Sequence, residues 1–437
     1  MKKKCKKFDV IDHATVVKSI GNFVAKRTAK ELKRRDIVDL YRKYGNNDGI
    51  ANMMIERFNE AKRTGTLNHK PVVVRTLFDD SSQKWRKITI EDIVRQLFDQ
   101  LATDGLEEAT KCVGEYQCTC LRNQPQKVRD PKTGKPKINP DTGKTIIKYA
   151  GRGQVWASEM VSRWMAEPDV RQIIKADIYH NYDSIDHDML FAMLNHDIKN
   201  DDLILLVHLQ IDEFGPVGIP IGSVLSITLD AIYISRIYHH MAEKCYKIRK
   251  HRDGTSNRAN LVKHILIWMD DIYLFCTSKK NAESSKRELI RYSRTLKLKI
   301  KPSIQMIDKI DPPKHPNIHQ AMQSYVDVVG YRVYPDHITL RRKNYISAKR
   351  NLKSGRKHMT LHRARSIMAQ RGTILHSNSY RFRKKYKTKQ VWKKARKVVS
   401  EHDKSNFRRK TAQRPNDNNG RKNICPDLCK RSGKTRG

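Results

Sequence analysis

His264-Ile-Leu-Ile-Trp-Met-Asp270-Asp271-Ile-Tyr-Leu-Phe-Cys276 places two adjacent carboxylates inside a run that is otherwise apolar on both sides. The simplest structure for it is a hairpin: strand, tight turn at the Asp pair, strand. Aspartate is common in turns because its side chain bonds nearby backbone. A pair flanked so closely by Ile, Leu, Trp, Tyr and Phe, however, brings two charges beside a core. That is costly unless a cation or hydrogen bonds compensate them. A functional site is the better reading.

Upstream, Ile173-Ile-Lys-Ala-Asp177-Ile is apolar enough for a buried strand and delivers Asp177 at its end. If that strand neighbours the hairpin, three carboxylates converge. Together they can hold two hard divalent cations roughly 3.5–4 Å apart. Such ions lower the pKa of an attacking hydroxyl and neutralise the pyrophosphate leaving an in-line displacement, which is the chemistry of nucleotidyl transfer. Between the two segments lies Gly215-Pro-Val-Gly218-Ile-Pro220-Ile-Gly222-Ser223-Val-Leu-Ser226, followed by a helical pattern over Ile227–Ala242. Gly and Pro make a close-approach loop, and backbone N–H groups at the helix start suit a base-paired template and an incoming nucleotide.

The charge agrees with a polyphosphate partner. The 437 residues carry a formal charge of +43. From Arg341 onward there are 32 Lys/Arg and 4 acidic residues, a net +28, against +15 for everything before. Self-repulsion on this scale favours an anionic partner. No stretch approaches the ~18–20 apolar residues that span a bilayer, so no membrane is expected. Met1-Lys-Lys-Lys-Cys5-Lys-Lys lacks a following apolar segment, which argues against a signal peptide. Eight sparse, irregular cysteines read as reduced thiols, and the expected location is cytoplasmic.

Residues 1–70 read as a helical extension, with helices over Val10–Lys33 and Ile50–Arg63 and a turn at Asn46-Asn-Asp-Gly49. Pro71–Arg75 and Trp85–Ile90 are strand-like, and Glu91–Ala109 is an amphipathic helix. Asn123–Lys148 is a polar insertion whose two similar turn signals, Asp130-Pro-Lys-Thr-Gly134-Lys and Asn139-Pro-Asp-Thr-Gly143-Lys, suggest a hairpin-like excursion. Its Gly143-Lys-Thr145 is not a P-loop, since position 138 is Ile where the partner glycine belongs. Arg341–Arg356 and Val391–Val399 read as basic helices, and a disordered basic tail is expected after Ser405.

The three central segments, in this order, resemble motifs A, B and C of reverse transcriptases: Asp177 with Tyr182 and then Ser184-Ile-Asp186-His187; Gly218-Ile-Pro220-x-Gly222-Ser; and x-Met-Asp270-Asp271. Leu296-Lys-Leu-Lys-Ile300-Lys-Pro302 resembles motif D, Val328-Val-Gly330-Tyr331-Arg332 the primer grip, Gly151-Arg152-Gly153-Gln154 a fingers motif, and Gln370–Tyr380 a thumb segment. The chain is most similar to compact prokaryotic enzymes, particularly those of diversity-generating retroelements and related phage-type elements, with defence-associated and retron-like enzymes close to them.

The resemblance implies an α+β right-hand polymerase with fingers (71–175), a palm with an antiparallel sheet (176–335), a helical thumb (336–400) and a basic tail (401–437). It implies an RNA-directed DNA polymerase that takes dNTPs, a structured RNA template or primer and its cDNA product, with an accessory protein as a further partner. Asp177, Asp270 and Asp271, with the carbonyl of Ile178, would hold two Mg²⁺ ions, Mn²⁺ being the substitute. Tyr182 would be a steric gate against a ribose 2′-hydroxyl, with Arg86, Pro220, Ile221 and Gly222 also at the nucleotide. Trp268, Met269, Gly330, Tyr331 and Arg152 would contact primer and template.

Three departures stand out. Trp268 stands where most relatives have Tyr, Ile221 where many have Gln, and Ile304 or Gln305 where a Lys often follows motif D. The Ile221 departure is similar to the error-prone diversity-generating group and implies reduced fidelity. Lys301 is the remaining candidate to protonate pyrophosphate. Asp186 and His187 read as orienting residues. A catalytically silent RNA-binding scaffold is the competing class, and the intact carboxylate set with Tyr182 argues against it. Cys118-x-Cys120, and Cys425 and Cys429 with His402, lack the four well-spaced ligands of a zinc site. Tyr380–Tyr386 and Trp392–Lys397 interleave rings with cations, a combination suited to structured RNA or to a thumb core.

Overall fold

The protein is described from a computed structural model, covering residues 4–28, 31–79, 84–118, 123–127, 138, 147–151, 153–309 and 324–412. Three helices open the chain, α1 (His13–Ala25), α2 (Arg35–Tyr44) and α3 (Asn47–Thr64). The expected Val10–Lys33 helix ends early, at Ala25. The Asn46–Gly49 turn is instead a helix start: the Asn46 side chain accepts the Gly49 N–H at 2.9 Å. The same side-chain-to-backbone bonding serves turns and N-caps alike.

A two-stranded ribbon follows, β1 (Val73–Asp79) and β2 (Lys84–Ile90), then α4 (Ile93–Gly105). Next come β3 (Gln117–Cys118) and the antiparallel pair β4 (Asn123–Lys127) and β5 (Ile147–Gly151), which is the expected excursion. α5 (Gln154–Ala166) leads into β6 (Gln172–Asp177). α6 (His187–Asp197), α7 (Asp201–Ile211) and α8 (Val224–His239) separate it from a second ribbon, β7 (Tyr246–Lys250) and β8 (Ser256–Asn260). β9 (His264–Trp268), β10 (Asp271–Cys276), α9 (Lys279–Thr295) and β11 (Gln305–Asp308) complete the central unit.

The main sheet has the order β11-β6-β10-β9-β3, with only β3 running parallel to its neighbour. Successive strand residues point to opposite faces. Ile174, Ala176, Ile265, Ile267, Ile272 and Leu274 therefore enter one core, under α8 and α9. Ile173, Leu266, Tyr273 and Phe275 enter a second, with Trp164 of α5. Covering both faces explains why these strands read as continuous apolar runs. Each such side chain contributes about 1.5–3 kcal/mol by leaving water.

A small sheet, β12 (Val326–Val328), β13 (Tyr331–Val333) and β14 (Ile338–Leu340), leads to the last unit. There α10 (Arg342–Lys357), α11 (Leu361–Leu375), α12 (Tyr380–Lys385) and α13 (Thr388–Ala412) enclose a third core. Phe382, Tyr386 and Trp392 belong to that core, whereas Tyr380 is 69% exposed. α13 runs through Ala412, past the point where the sequence suggests a structureless tail; Lys, Arg, Gln and Glu are good helix formers even without apolar neighbours. Arg152, Cys120, Cys425 and Cys429 lie outside the described residues. Among the described residues no helix is long and apolar enough to cross a membrane.

Candidate active site

The sheet register assembles the carboxylates. Asp271, the first residue of β10, pairs with Asp177 at the end of β6 on one side and with Trp268 on the other. The turn is therefore Met269–Asp270, not the Asp pair itself. Met269 takes the left-handed conformation, φ 50°, and the Asp270 carbonyl accepts the Ile178 N–H at 3.0 Å. All three carboxylates stand at one end of two adjoining strands.

Their charges oppose one another. Burial raises the Asp270 carboxyl, and the charge of Asp177 raises it further. Asp271 is pushed up to about 6, chiefly by burial, with Lys175 opposing the shift and Asp270 and Asp177 adding to it. The Tyr273 hydroxyl donates to Asp271 Oδ2 at 3.4 Å and to the Asp327 carbonyl at 3.2 Å. Lys175 donates to that same carbonyl at 2.7 Å. Lys301 forms an ion pair with Asp177.

This donor set fits hard divalent cations. Three carboxylates and the Ile178 carbonyl are all oxygen, and burial, with the charge of neighbouring carboxylates, makes two of the acids resist ionisation. Ile178 offers only its backbone carbonyl, since an isoleucine side chain carries no donor atom. Among the described residues no three His, Cys, Asp or Glu side chains are drawn tightly enough together to enclose an ion; Asp177 is turned onto Lys301 instead.

A turn and a loop form the floor. The chain leaves β6 through His180, at φ 46°, into a short 3₁₀ turn, Tyr182–Ser184. Tyr182 is half-buried and packs against the main core. Its carbonyl accepts the Ile219 N–H at 3.0 Å, the Ile185 carbonyl accepts the Gly218 N–H at 2.8 Å, and the Pro216 carbonyl accepts the His187 N–H at 3.1 Å. His187 Nε2 donates to the Gly218 carbonyl at 2.7 Å. Asp186 caps α6 through the Met189 N–H, 3.0 Å, and pairs with Lys297 at 2.7 Å. Both residues orient the turn, as expected.

The first ribbon docks on the same loop. The Ile221 carbonyl accepts the Thr89 N–H at 2.8 Å. Gly222 has φ 125°, and a Cβ there would lie 2.7 Å from the Thr89 carbonyl oxygen, so only glycine fits. The ribbon carries Arg86, whose positive charge stabilises ionised Asp270. Pro220 is buried beneath, and Ser223 caps α8, accepting from Leu225 N at 3.0 Å.

Residues 81–305, just over half of the chain, match the family model for reverse transcriptases (RNA-dependent DNA polymerases). The chain belongs to the reverse transcriptase family. No curated protein matches it. Among solved structures, the apo telomerase of Candida tropicalis, truncated from its C-terminal domain, is similar at 10% identity and TM-score 0.38, over 62% of this chain and 55% of that one. An RdRp complex is similar at 10% identity and TM-score 0.37, over 71% and 25%. The telomerase of Candida albicans with a TWJ fragment of telomeric RNA gives 12% identity and TM-score 0.32, over 57% and 49%. The chain thus spans between a quarter and just over half of the length of these structures.

In this reverse transcriptase, Gly330 sits at φ 89° in the β12–β13 turn, where a Cβ would come 2.8 Å from Asn344 Nδ2. Asn344 donates to the Gly330 carbonyl at 2.9 Å, joining the hairpin to α10. Tyr331 is 2% exposed in the second core. Its ring supports the hairpin from below. Trp268 is partly buried against the same core.

Four features of the reverse transcriptase were not legible in its motifs. Lys175 and Tyr273 face Asp271 from strands that read only as apolar. Asn181 donates to Asp230 of α8 at 2.7 Å. Behind the loop, Ser223 donates to Asp99, and Arg95, fully buried, bonds Glu213 at 2.5 Å and the Gln210 carbonyl at 2.6 Å. The isolated acids and Arg95 inside apolar helix patterns were the available signal.

Proposed function

We propose that this reverse transcriptase copies a structured cognate RNA into cDNA with two Mg²⁺ ions, as the polymerase of a diversity-generating retroelement. The observation that carries the polymerase reading is the Asp177–Asp271 register pairing, with Asp270 in the adjoining turn and the Tyr182 turn beside it. Asp177, Asp270, Asp271 and the Ile178 carbonyl would hold the ions. When bound, these supply activation of the primer 3′-hydroxyl and neutralisation of the departing pyrophosphate.

The chain's own residues position the reactants. Arg86 brings positive charge from the ribbon towards the triphosphate. Tyr182 excludes a ribose 2′-hydroxyl. The Pro220-Ile221-Gly222 backbone, held against Thr89, floors the nascent base pair, and the hairpin turn at Gly330 carries the primer strand. Lys301 neutralises Asp177 and in this reading is the candidate to protonate the departing pyrophosphate. Residues 71–175, 176–335 and 336–400 act as fingers, palm and thumb, and the basic segment beyond holds the RNA. An accessory protein completes the assembly.

Ile221 supports the retroelement assignment. It offers no polar side-chain contact to the incoming nucleotide, so misalignment there goes uncorrected. Sequencing of cDNA copied from one defined RNA tests this. The error frequency is expected to fall severalfold in Ile221→Gln, and an unchanged frequency would remove the residue from fidelity control.

A further inference from the structure

β7 and β8 form a ribbon that stands clear of the rest of the chain. Every residue from Ile248 to Arg258 is exposed, Ile248 by 64%. The root is fixed: the Cys245 carbonyl accepts the Leu261 N–H at 2.9 Å, and Lys247 Nζ donates to Asn281 Oδ1 of α9 at 3.0 Å. The tip is fixed as well, by Gly254 at φ 81° and by the His251 N–H, which donates to the Thr255 carbonyl at 2.8 Å. Residues 246–260 hold Lys247, Arg249, Lys250, Arg252 and Arg258 against one acid, Asp253. That acid is used in its own turn, accepting from the Thr255 N–H at 2.9 Å and from its hydroxyl at 2.6 Å. Among the described residues none of the five cations pairs with a carboxylate.

We propose that this ribbon is a docking site for a folded part of the RNA, seated between two of its backbone segments. The inference rests on the reading that this reverse transcriptase works on a structured RNA. Register decides the shape of the partner. Ile248 stands opposite Arg258, Lys250 opposite Ser256 and Arg249 opposite Asn257. Successive residues point to opposite faces, so Lys250 and Arg258 share one face and Lys247 and Arg249 take the other. Arg252 lies at the tip. A membrane or an acidic helix would be met by one face alone. Cations on both faces and at the tip suit phosphates on either side, which the folded backbone of an RNA supplies.

Without such a partner the ribbon is costly. Two strands alone are marginally stable in water, and Lys250 and Arg258 are diagonal neighbours whose like charges oppose each other. A surface built for solubility alone would mix signs. Position separates this contact from the chemistry. Three residues, Leu261–Lys263, join β8 to β9. His264 of β9 pairs with Phe275, whereas Trp268 pairs with Asp271. The ribbon therefore roots at the end of the sheet away from the carboxylates, roughly 13 Å along the strand. Its occupant is a part of the RNA outside the base pair being formed.

The test titrates binding of the full chain against salt, with a stem-loop RNA and a single-stranded RNA of equal length as probes. One variant combines Arg249→Gln, Lys250→Gln, Arg252→Gln and Arg258→Gln; a second keeps the charge, with Arg249→Lys, Arg252→Lys and Arg258→Lys. Loss of four phosphate contacts is expected to lower the slope of log K against log salt by about three for the stem-loop and by about one or less for the single strand. The charge-keeping variant should hold the wild-type slope. Both variants should extend a short DNA primer on RNA at the wild-type rate, which shows that they are folded. An unchanged stem-loop slope overturns the proposal and leaves the ribbon to an acidic protein. An equal drop for the single strand overturns it too, since the ribbon is then a general phosphate patch. Failure of wild type to extend the primer would instead overturn the polymerase reading, and the stem-loop slope would still decide the ribbon.

Discussion

Asp177 and Asp271 face each other across the β6–β10 ladder, so two like charges meet at the closest spacing that neighbouring strands allow. Fold stability and function pull against each other here. Asp271→Asn is expected to abolish primer extension. In the absence of divalent ions at pH 8 it should also unfold later than wild type by about 1–3 kcal/mol, because a buried charge is gone. Denaturant unfolding and extension assays on the same preparation check both halves.

The pH dependence of stability has a definite sign. Asp230 is pushed from its ordinary 3.8 up to about 7 by burial, with Asp270 adding to the shift. The folded state thus binds the proton more tightly than the unfolded chain. The associated stability is complete below about pH 4 and is lost as the pH rises through about 7. Roughly 2–4 kcal/mol is at stake. Unfolding free energies of wild type should fall across that window, and Asp230→Asn should flatten the fall.

Lys301 competes with cations for Asp177. Lys301→Met should lower the metal concentration needed for half-maximal activity by roughly three- to tenfold, one charge–charge contact near the surface. It should also lower kcat, through loss of the positive charge beside the pyrophosphate. A metal titration of steady-state rates shows both effects.

Gly222 holds the ribbon against the loop. Gly222→Ala forces a Cβ towards the Thr89 carbonyl oxygen, 2.7 Å away, at φ 125°. The expected loss is about 1–3 kcal/mol of stability, with a raised KM for dNTP because the Arg86 strand is displaced. Thermal unfolding and dNTP saturation curves measure it.

Much of this was legible in the sequence, for physical reasons. β6, β9 and β10 are buried on both faces and so read as unbroken apolar runs, and acids that interrupt such runs are conspicuous. Asn46 reads as a turn residue yet caps α3, because turns and N-caps use the same side-chain chemistry. α2 has only Ile37 and Leu40 fully buried, too few to announce a helix beside so many charges. Tyr331 carries a motif position but spends its ring on the core beneath. The Asn181–Asp230 pair and the Lys301–Asp177 contact join segments far apart in sequence, and no local pattern encodes which polar residue will find which.

The central claim is that the three carboxylates carry nucleotidyl transfer on an RNA template. The most direct test extends a labelled DNA primer annealed to RNA, with dNTPs and Mg²⁺, using wild type and the separate variants Asp177→Asn, Asp270→Asn and Asp271→Asn, each shown to be folded and to bind the duplex. The account predicts template-directed extension by wild type and a loss of at least about a thousandfold in each variant. Extension at wild-type rate by any one of the three would contradict it.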